Sequence, residues 1–108
     1  MPRLHSRIDT KSEEFARNAA TMRDLVSHLR ANLAEVAAGG SPAAVAKHRA
    51  RGRLPVRERI DLLLDPGAPF LEFSPLAAHG LYGGDVPGAG IVTGVGRVSG
   101  RECVIVGN

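Results

Sequence analysis

The distribution of glycine constrains the fold of this 108-residue chain more than any other sequence feature. Nine of the 13 glycines lie between Gly80 and Gly107, which leaves a glycine-poor first part and a glycine-rich second part. Because glycine destabilises helices and permits tight turns, we expect helices first, then turns and short strands. Aromatic residues make up 4% of the chain and Trp is absent, so the core must be aliphatic.

A seven-residue apolar repeat predicts one long helix near the start of the chain. The repeat consists of Phe15, Met22, Leu29 and Val36. A capping box at Thr10–Glu13 can start this helix, although Asp9 or Ser12 could cap it instead. Gly39-Gly40 should end it. With roughly 25–28 residues the helix would be about 40 Å long, which favours packing along something larger than a small globule.

Two shorter helices are predicted to follow. Ser41-Pro42 provides an N-cap and a proline at the first helical position, so a second helix should run to Arg51 and stop at Gly52. A third should begin at Pro55 and end before the turn signal Asp65-Pro66-Gly67. Its inward side chains are expected to be Val56, Ile60, Leu63 and Leu64.

The glycine-rich second part predicts a β-hairpin. Residues 91–98 and 103–107 have strand composition, and Ser99-Gly100 between them fits a two-residue turn. With that turn, Arg97 faces Glu102, which is a favourable opposite-charge pair. The same register places Val95 opposite Val104, Thr93 opposite Val106, Gly96 opposite Cys103 and Gly94 opposite Ile105.

The remainder of this part is less regular. Phe70–Phe73 is expected to form a short extended segment, and residues 74–90 are expected to form a loop rich in Gly and Pro. Since Gly94 and Gly96 share one face of the hairpin, another element could approach that face closely.

Several classes of site are excluded by composition. One cysteine, Cys103, cannot form an internal disulfide or a cysteine-built metal site, and we expect it to be a small buried strand residue. The four histidines are widely spaced, so no metal site is predicted. The two G-x-G pairs, at 88–90 and 94–96, lack the third glycine of a dinucleotide-binding fingerprint. No apolar run approaches the ~20 residues of a membrane span. With no secretory signal either, the predicted location is cytoplasmic.

Positive charge is concentrated in the first part of the chain. Residues 1–59 hold 12 of the 14 Lys and Arg but 6 of the 11 Asp and Glu, whereas the remainder is net acidic. Between positions 47 and 59, six basic groups are opposed by Glu58 alone: Lys47, Arg49, Arg51, Arg53, Arg57 and Arg59. Such a cluster could bind nucleic acid, bind phosphate, or connect parts of a larger enzyme. The cluster has no aromatic, Asn or Gln base readers, so nucleic acid could be attracted only through its backbone.

Several segments resemble the carboxyltransferase (beta) subunits of biotin-dependent acyl-CoA carboxylases. They are Arg57-Glu58-Arg59-Ile60, Leu64-Asp65-Pro66-Gly67, Pro69-Phe70-Leu71-Glu72, Leu81-Tyr82 and the stretch from Gly90 to Gly100. The resemblance covers about residues 8–108 and favours the methylcrotonyl-CoA branch, with the geranyl-, propionyl- and acetyl-CoA branches as alternatives. Because family members are several times longer, we interpret the chain as an N-terminal fragment.

The resemblance implies an α+β fold. Residues 1–67 would be a helical N-terminal segment, and residues 68–108 would begin a crotonase-like carboxyltransferase domain. Family members move a carboxyl group from carboxybiotin to 3-methylcrotonyl-CoA, in leucine breakdown, or to a related acyl-CoA. Their oxyanion holes are backbone N–H groups of glycine-rich turns beyond the residues present here. No catalytic residue is therefore assigned, and the isolated chain is expected to be inactive.

The resemblance also implies partners and one pair of candidate binding residues. The expected partners are an acyl-CoA substrate, a biotin-carrying alpha subunit and further beta subunits, with no nucleic acid and no membrane. No cofactor is expected to bind this segment directly. Arg51 and Arg53 are candidate contacts to coenzyme A phosphates, since arginine matches phosphate geometry. The alternative, which we favour, is that the basic cluster pairs with acidic groups elsewhere in the enzyme or stays in solvent.

Overall fold

The computed structural model describes residues 1–84, 86 and 88–108. Asp85 and Pro87, which fall in the predicted loop, lie outside the described residues. The chain divides into two compact units, residues 1–31 and residues 32–108. The order of elements is three helices, a strand, a short 3₁₀ turn and two further strands, which confirms the α+β class.

Three helices form close to their predicted positions. They are α1 (Glu13–Ala37), α2 (Pro42–Ala50) and α3 (Val56–Leu63). Ser12 caps α1, since its hydroxyl accepts the N–H of Phe15 at 3.1 Å. Ser41 caps α2 in the same way, accepting the N–H of Ala44 at 3.2 Å. Each cap satisfies a backbone donor that the helix itself cannot pair.

The sheet has three antiparallel strands in the order β1-β2-β3. They are β1 (Phe70–Phe73), β2 (Val92–Val98) and β3 (Arg101–Gly107). Every pair predicted for the hairpin is present, from Thr93 opposite Val106 to Arg97 opposite Glu102. The extended segment at Phe70–Phe73 is a full strand that pairs with β2, with Leu71 opposite Val95. The sheet therefore has one strand more than the predicted hairpin.

A small aliphatic core lies between α3 and one face of the sheet. Ile60, Val92 and Ile105 are its buried members. Packed around them are Val56, Leu64, Phe70, Val98 and Cys103. The prediction that Leu63 points inward is wrong, because it is 51% exposed. Val56, Ile60 and Leu64 contact the core. Leu63 stands at i+3 from Ile60 and i+7 from Val56, so it lies at the edge of the same side, beyond the part that the sheet covers. Cys103 is half-buried at the margin of the core.

The two glycines of β2 allow the core to close. A Cβ on Gly94 would lie 2.5 Å from the carbonyl oxygen of Leu71 and 2.5 Å from the ring of Phe70. A Cβ on Gly96 would collide with Leu64 and lie 3.3 Å from Phe70. The close approach predicted for this face is thus confirmed, and the approaching groups are β1 and the end of α3.

The opposite face of the sheet carries apolar side chains that no described residue covers. Leu71, Phe73, Val104 and Val106 are all exposed on it. Half-buried Thr93 and Val95 lie between them on β2. A sheet face of this composition is normally covered by another layer of structure.

Candidate functional site

The candidate functional site is the basic corner, which we define as residues 47–59, comprising the end of α2, the connection and the first half of α3. Gly52 adopts φ +72° in the connection, and the backbone N–H of Arg53 bonds back to the carbonyl of His48 at 3.4 Å. His48 Nε2 lies 3.2 Å from the carbonyl oxygen of Leu54. These contacts fix the turn between the two helices, and hence the positions from which the basic side chains project.

Arg57 forms the less exposed of the two ion pairs of the corner. Its Nη1 and Nη2 donate to the two carboxylate oxygens of Glu72 at 2.7 and 2.8 Å. The side chains are 29% and 22% exposed, so solvent only partly screens the pair. The hydrogen bonds to Glu72 raise the pKa of Arg57, and the Glu72 and Asp61 charges add to this effect against the cost of burial. The guanidinium therefore links α3 to β1 and is committed to a structural contact.

Two further arginines of the corner are also engaged within the chain. Arg49 forms a bidentate pair with Glu58, which joins α2 to α3. The hydrogen bond and charge of Glu58 raise the pKa of Arg49. Arg59 Nη1 donates to the backbone oxygen of Asn108 at 3.2 Å. Ion pairing was expected for the cluster, but its acidic partners are Glu58 and Glu72 of this same chain.

Arg51, Arg53 and Lys47 differ from these three. Their side chains are exposed, and none forms an ion pair with a residue that the structure describes. Arg51 and Arg53 flank Gly52, so the two candidate phosphate contacts project from one short turn. A pair of solvated guanidiniums on one turn has the donors that phosphate oxygens require. Their role in coenzyme A binding stays a prediction.

A cavity of about 400 Å³ lies beside the basic corner. Its walls come from the end of α1, from α2, from the start of α3, and from residues 86, 88 and 90–92. His48 and Arg57 are the titratable side chains among its described lining residues. The rest of the lining is largely aliphatic or glycine, so the cavity suits an apolar group with a polar edge. Among the described residues, no group of three His, Cys, Asp or Glu could hold a metal ion.

Asp65 holds the β2–β3 hairpin in position, although its sequence context predicted only a turn. Its carboxylate accepts the backbone N–H groups of Ser99 and Gly100 at 2.6 and 2.9 Å and lies 3.3 Å from Arg97 Nε. The N–H of Gly100 lowers the pKa of Asp65 most, partial burial opposes it, and Ser99 and Arg97 lower it further. Asp65 thereby ties the end of α3 to the tip of the β2–β3 hairpin. The distance in sequence, 34 residues, hides this contact from local patterns.

Comparison with known proteins identifies the family. The family described as Carboxyl transferase domain matches residues 47–108, which begin at the basic corner and include the whole sheet. This chain belongs to the carboxyl transferase family.

None of the helices that the structure describes combines the length and apolarity that crossing a bilayer requires.

Two members of this family are similar to the chain in sequence. The chain is 60% identical over 86 residues to the biotin-dependent 3-methylcrotonyl-coenzyme A carboxylase beta1 subunit of Mycobacterium tuberculosis, covering 80% of this chain and 16% of that protein. It is 53% identical over 106 residues to a probable mitochondrial methylcrotonoyl-CoA carboxylase beta chain of Drosophila melanogaster, covering 97% of this chain and 18% of that one.

A solved structure extends the likeness to the fold. The beta subunit of geranyl-CoA carboxylase from P. aeruginosa superposes with a TM-score of 0.77 at 40% identity, over 97% of this chain and 20% of that chain. The chain therefore spans about a fifth or less of the length of the relatives it matches.

Proposed function

We propose that this chain is part of the carboxyltransferase subunit of a biotin-dependent acyl-CoA carboxylase, with 3-methylcrotonyl-CoA as the favoured substrate. The observation that carries this proposal is the family match over residues 47–108, together with the 60% identity to a 3-methylcrotonyl-coenzyme A carboxylase subunit. Likeness to a propionyl-CoA carboxylase subunit is lower, at 37% identity. Geranyl-CoA is the runner-up substrate, since a geranyl-CoA carboxylase subunit shares the fold.

The reaction needs negative charge to be stabilised on a thioester oxygen and on the ureido oxygen of biotin. This chain contributes scaffold to the reaction centre, because the Arg57–Glu72 and Asp65–hairpin contacts hold its helices against its sheet. Biotin would be delivered by a partner alpha subunit, and other beta subunits would complete the assembly. In the full-length subunit, we propose that residues 1–67 form the helical N-terminal segment and residues 68–108 begin the crotonase-like domain.

A chimera tests the proposed function. The matching segment of the Mycobacterium tuberculosis subunit is replaced by residues 1–108, the chimera is assembled with its biotin-carrying partner, and carboxylation is followed by fixation of labelled bicarbonate. We expect activity with 3-methylcrotonyl-CoA above that with propionyl-, acetyl- or geranyl-CoA, and none from the 108-residue chain alone. A folded, assembled but inactive chimera would contradict the proposal, as would carboxylation by the isolated chain.

We further propose that Arg51 and Arg53 contact a coenzyme A phosphate. Replacing both with Ala in the chimera should raise KM for the acyl-CoA roughly fivefold with kcat unchanged, since exposed charge pairs contribute modest uniform binding. The same change should leave KM for a dephosphorylated coenzyme A thioester unaltered if the 3′-phosphate is the group they contact. Arg101→Ala, on the far strand, is the matched control. Equal KM values for the double variant and the parent would refute this assignment.

Two other predictions belong with this proposal. A nucleic-acid role is disfavoured because Arg49 and Arg57 are held by carboxylates of the chain, which leaves fewer cations for a phosphate backbone. Tight retardation of DNA or RNA that survives moderate salt would reverse that conclusion.

The cytoplasmic location stays a prediction, since relatives with mitochondrial names are among those the chain resembles.

A further inference from the structure

In the first compact unit, α1 carries an apolar pattern with a shorter spacing than the seven-residue repeat described above. Five residues alternate at spacings of four and three: Phe15, Ala19, Met22, Val26 and Leu29. We call this row the α1 seam. A repeat averaging 3.5 residues is the pattern by which helices pair along their length. Phe15, Met22 and Leu29 are exposed within the described structure, so the seam lacks a partner helix there.

A surface depression lies along one edge of the seam. It is lined by Met22, Arg23, Val26, Ser27 and Arg30. The last four of these stand at i, i+3, i+4 and i+7 on the helix. Four residues in that arrangement form the hole that receives a side chain from a facing helix in knobs-into-holes packing. Of these four, only Val26 belongs to the seam, so the depression lies along the edge that carries Arg23 and Arg30, where it can receive a side chain from the edge of an incoming helix.

The charges beside the seam restrict which helix can dock there. Arg23 and Arg30 lie seven residues apart on one edge of the seam, roughly 10 Å along the axis. Both side chains are exposed. The ion pair within α1 joins Arg17 to Glu13 at 3.8 Å, away from the seam, so neither edge arginine has a carboxylate partner on this helix. Charges on the edges of paired helices select the partner.

We propose that residues 15–30 of α1 are the docking surface for a partner helix with an apolar heptad seam and Asp or Glu facing Arg23 and Arg30. A second copy of α1 fits poorly. In an antiparallel pair the arginine edges would face each other, and in a parallel pair they would face Asn18 and Leu25, which offer no carboxylate. A lipid surface also fits poorly, because the seam is narrow and contains one aromatic residue. The inference does not rest on the carboxyltransferase function.

Labelled peptides test the proposal against the full 108-residue chain. The probe is a 21-residue helix with Leu along its seam and Glu at its edges, and the matched control peptide carries Lys in place of Glu. Fluorescence anisotropy should show the Glu peptide binding about tenfold more tightly at low salt, with the difference shrinking at 1 M salt. The double variant Arg23→Glu with Arg30→Glu should reverse the preference between the two peptides.

Two variants separate docking from loss of the helix. Arg17→Glu lies on the opposite side of α1 and should leave both affinities unchanged. Met22→Ser with Leu29→Ser should abolish binding while circular dichroism keeps the helical signal, because both side chains are exposed. Equal affinity for the two peptides, no reversal in the charge-swapped variant, self-association of the chain, or a preference for anionic phosphatidylserine vesicles over the Glu peptide would overturn the proposal.

Discussion

At the scale of single residues, Asp65 and the glycines of β2 decide how the elements meet. Asp65 holds the N–H groups of the Ser99-Gly100 turn, and both turn residues adopt positive φ, at 49° and 76°. This is the geometry that a two-residue hairpin turn requires. Gly94 and Gly96 act through the absence of a side chain. This absence leaves room for β1 and the end of α3 to approach β2.

Asp65→Asn should lower the stability of the hairpin in a pH-dependent way. The folded-state pKa of Asp65 is held below its ordinary value of 3.8, so the carboxylate stabilises the fold above that pH. The contribution is lost as the pH falls through the folded-state pKa. We expect the variant to unfold at lower urea than the parent at pH 7, and the difference to disappear as the pH falls through the folded-state pKa of Asp65. Asp24→Asn on α1 is the control; a difference that persists at low pH would contradict this account.

Gly96→Ala should destabilise the sheet by about 1–3 kcal/mol, because its Cβ would collide with Leu64 in a packed core. Gly94→Ala should cost at least as much, since the obstacle there includes the backbone oxygen of Leu71. Urea unfolding measured by circular dichroism checks both. Arg101→Ala, at an exposed position, should stay within about 0.5 kcal/mol of the parent. Parent-like stability of both glycine variants would show that the close approach is not real.

At the scale of elements, carboxylates of this chain fasten the helices and strands to one another. Glu72 reaches from β1 to Arg57 on α3, and Glu58 reaches from α3 to Arg49 on α2. The two pairs share bidentate geometry but differ in solvent exposure, with 29% and 22% for the Arg57 pair against 48% and 43% for the Arg49 pair. Screening by water should therefore make the first pair the stronger one.

A double-mutant cycle on Arg57→Ala and Glu72→Ala should give a coupling free energy of about 1 kcal/mol or more. The corresponding cycle on Arg49 and Glu58 should give a smaller value that disappears in high salt. Both cycles are measured by urea unfolding of the 108-residue chain. A larger coupling for the exposed pair would contradict the role assigned to burial.

At the scale of the whole molecule, the chain has more apolar surface than its described residues can cover. Among the residues that the structure describes, the buried apolar side chains are Ile60, Val92 and Ile105, with Val36 at the end of α1. Because β1 and α3 pack against the hairpin, the hairpin is more stable than an isolated two-stranded ribbon would be. The outer sheet face remains bare, and Cys103–Val106 is an uncharged strand at a sheet edge, which favours aggregation.

Val104→Thr with Val106→Thr should reduce aggregation and the binding of a hydrophobic dye while the strand content stays constant. Both side chains are exposed, and threonine keeps the β-branched shape that suits a strand. Dye fluorescence and light scattering provide the measurements. Ile105→Thr is the contrasting variant, because it places a hydroxyl in the core and should destabilise the chain by roughly 2 kcal/mol or more. Unchanged dye binding in the double variant would mean that the sheet face is not the exposed surface.

The sequence alone determined what depends on neighbours along the chain: the three helices, the Ser41 cap of α2 and the hairpin register from Thr93–Val106 to Arg97–Glu102. It left the cap of α1 open between the Thr10–Glu13 capping box, Asp9 and Ser12, and the structure has Ser12. Periodicity, capping and turn chemistry act over a few residues, so they can be recognised in the sequence without knowledge of the fold. Only the tertiary structure decided that Phe70–Phe73 joins the sheet, that Leu63 is exposed, and that Glu72 and Asp65 hold distant partners. Those contacts span 15 to 35 residues, and ion pairs and hydrogen bonds over such distances form only once the core has brought the elements together.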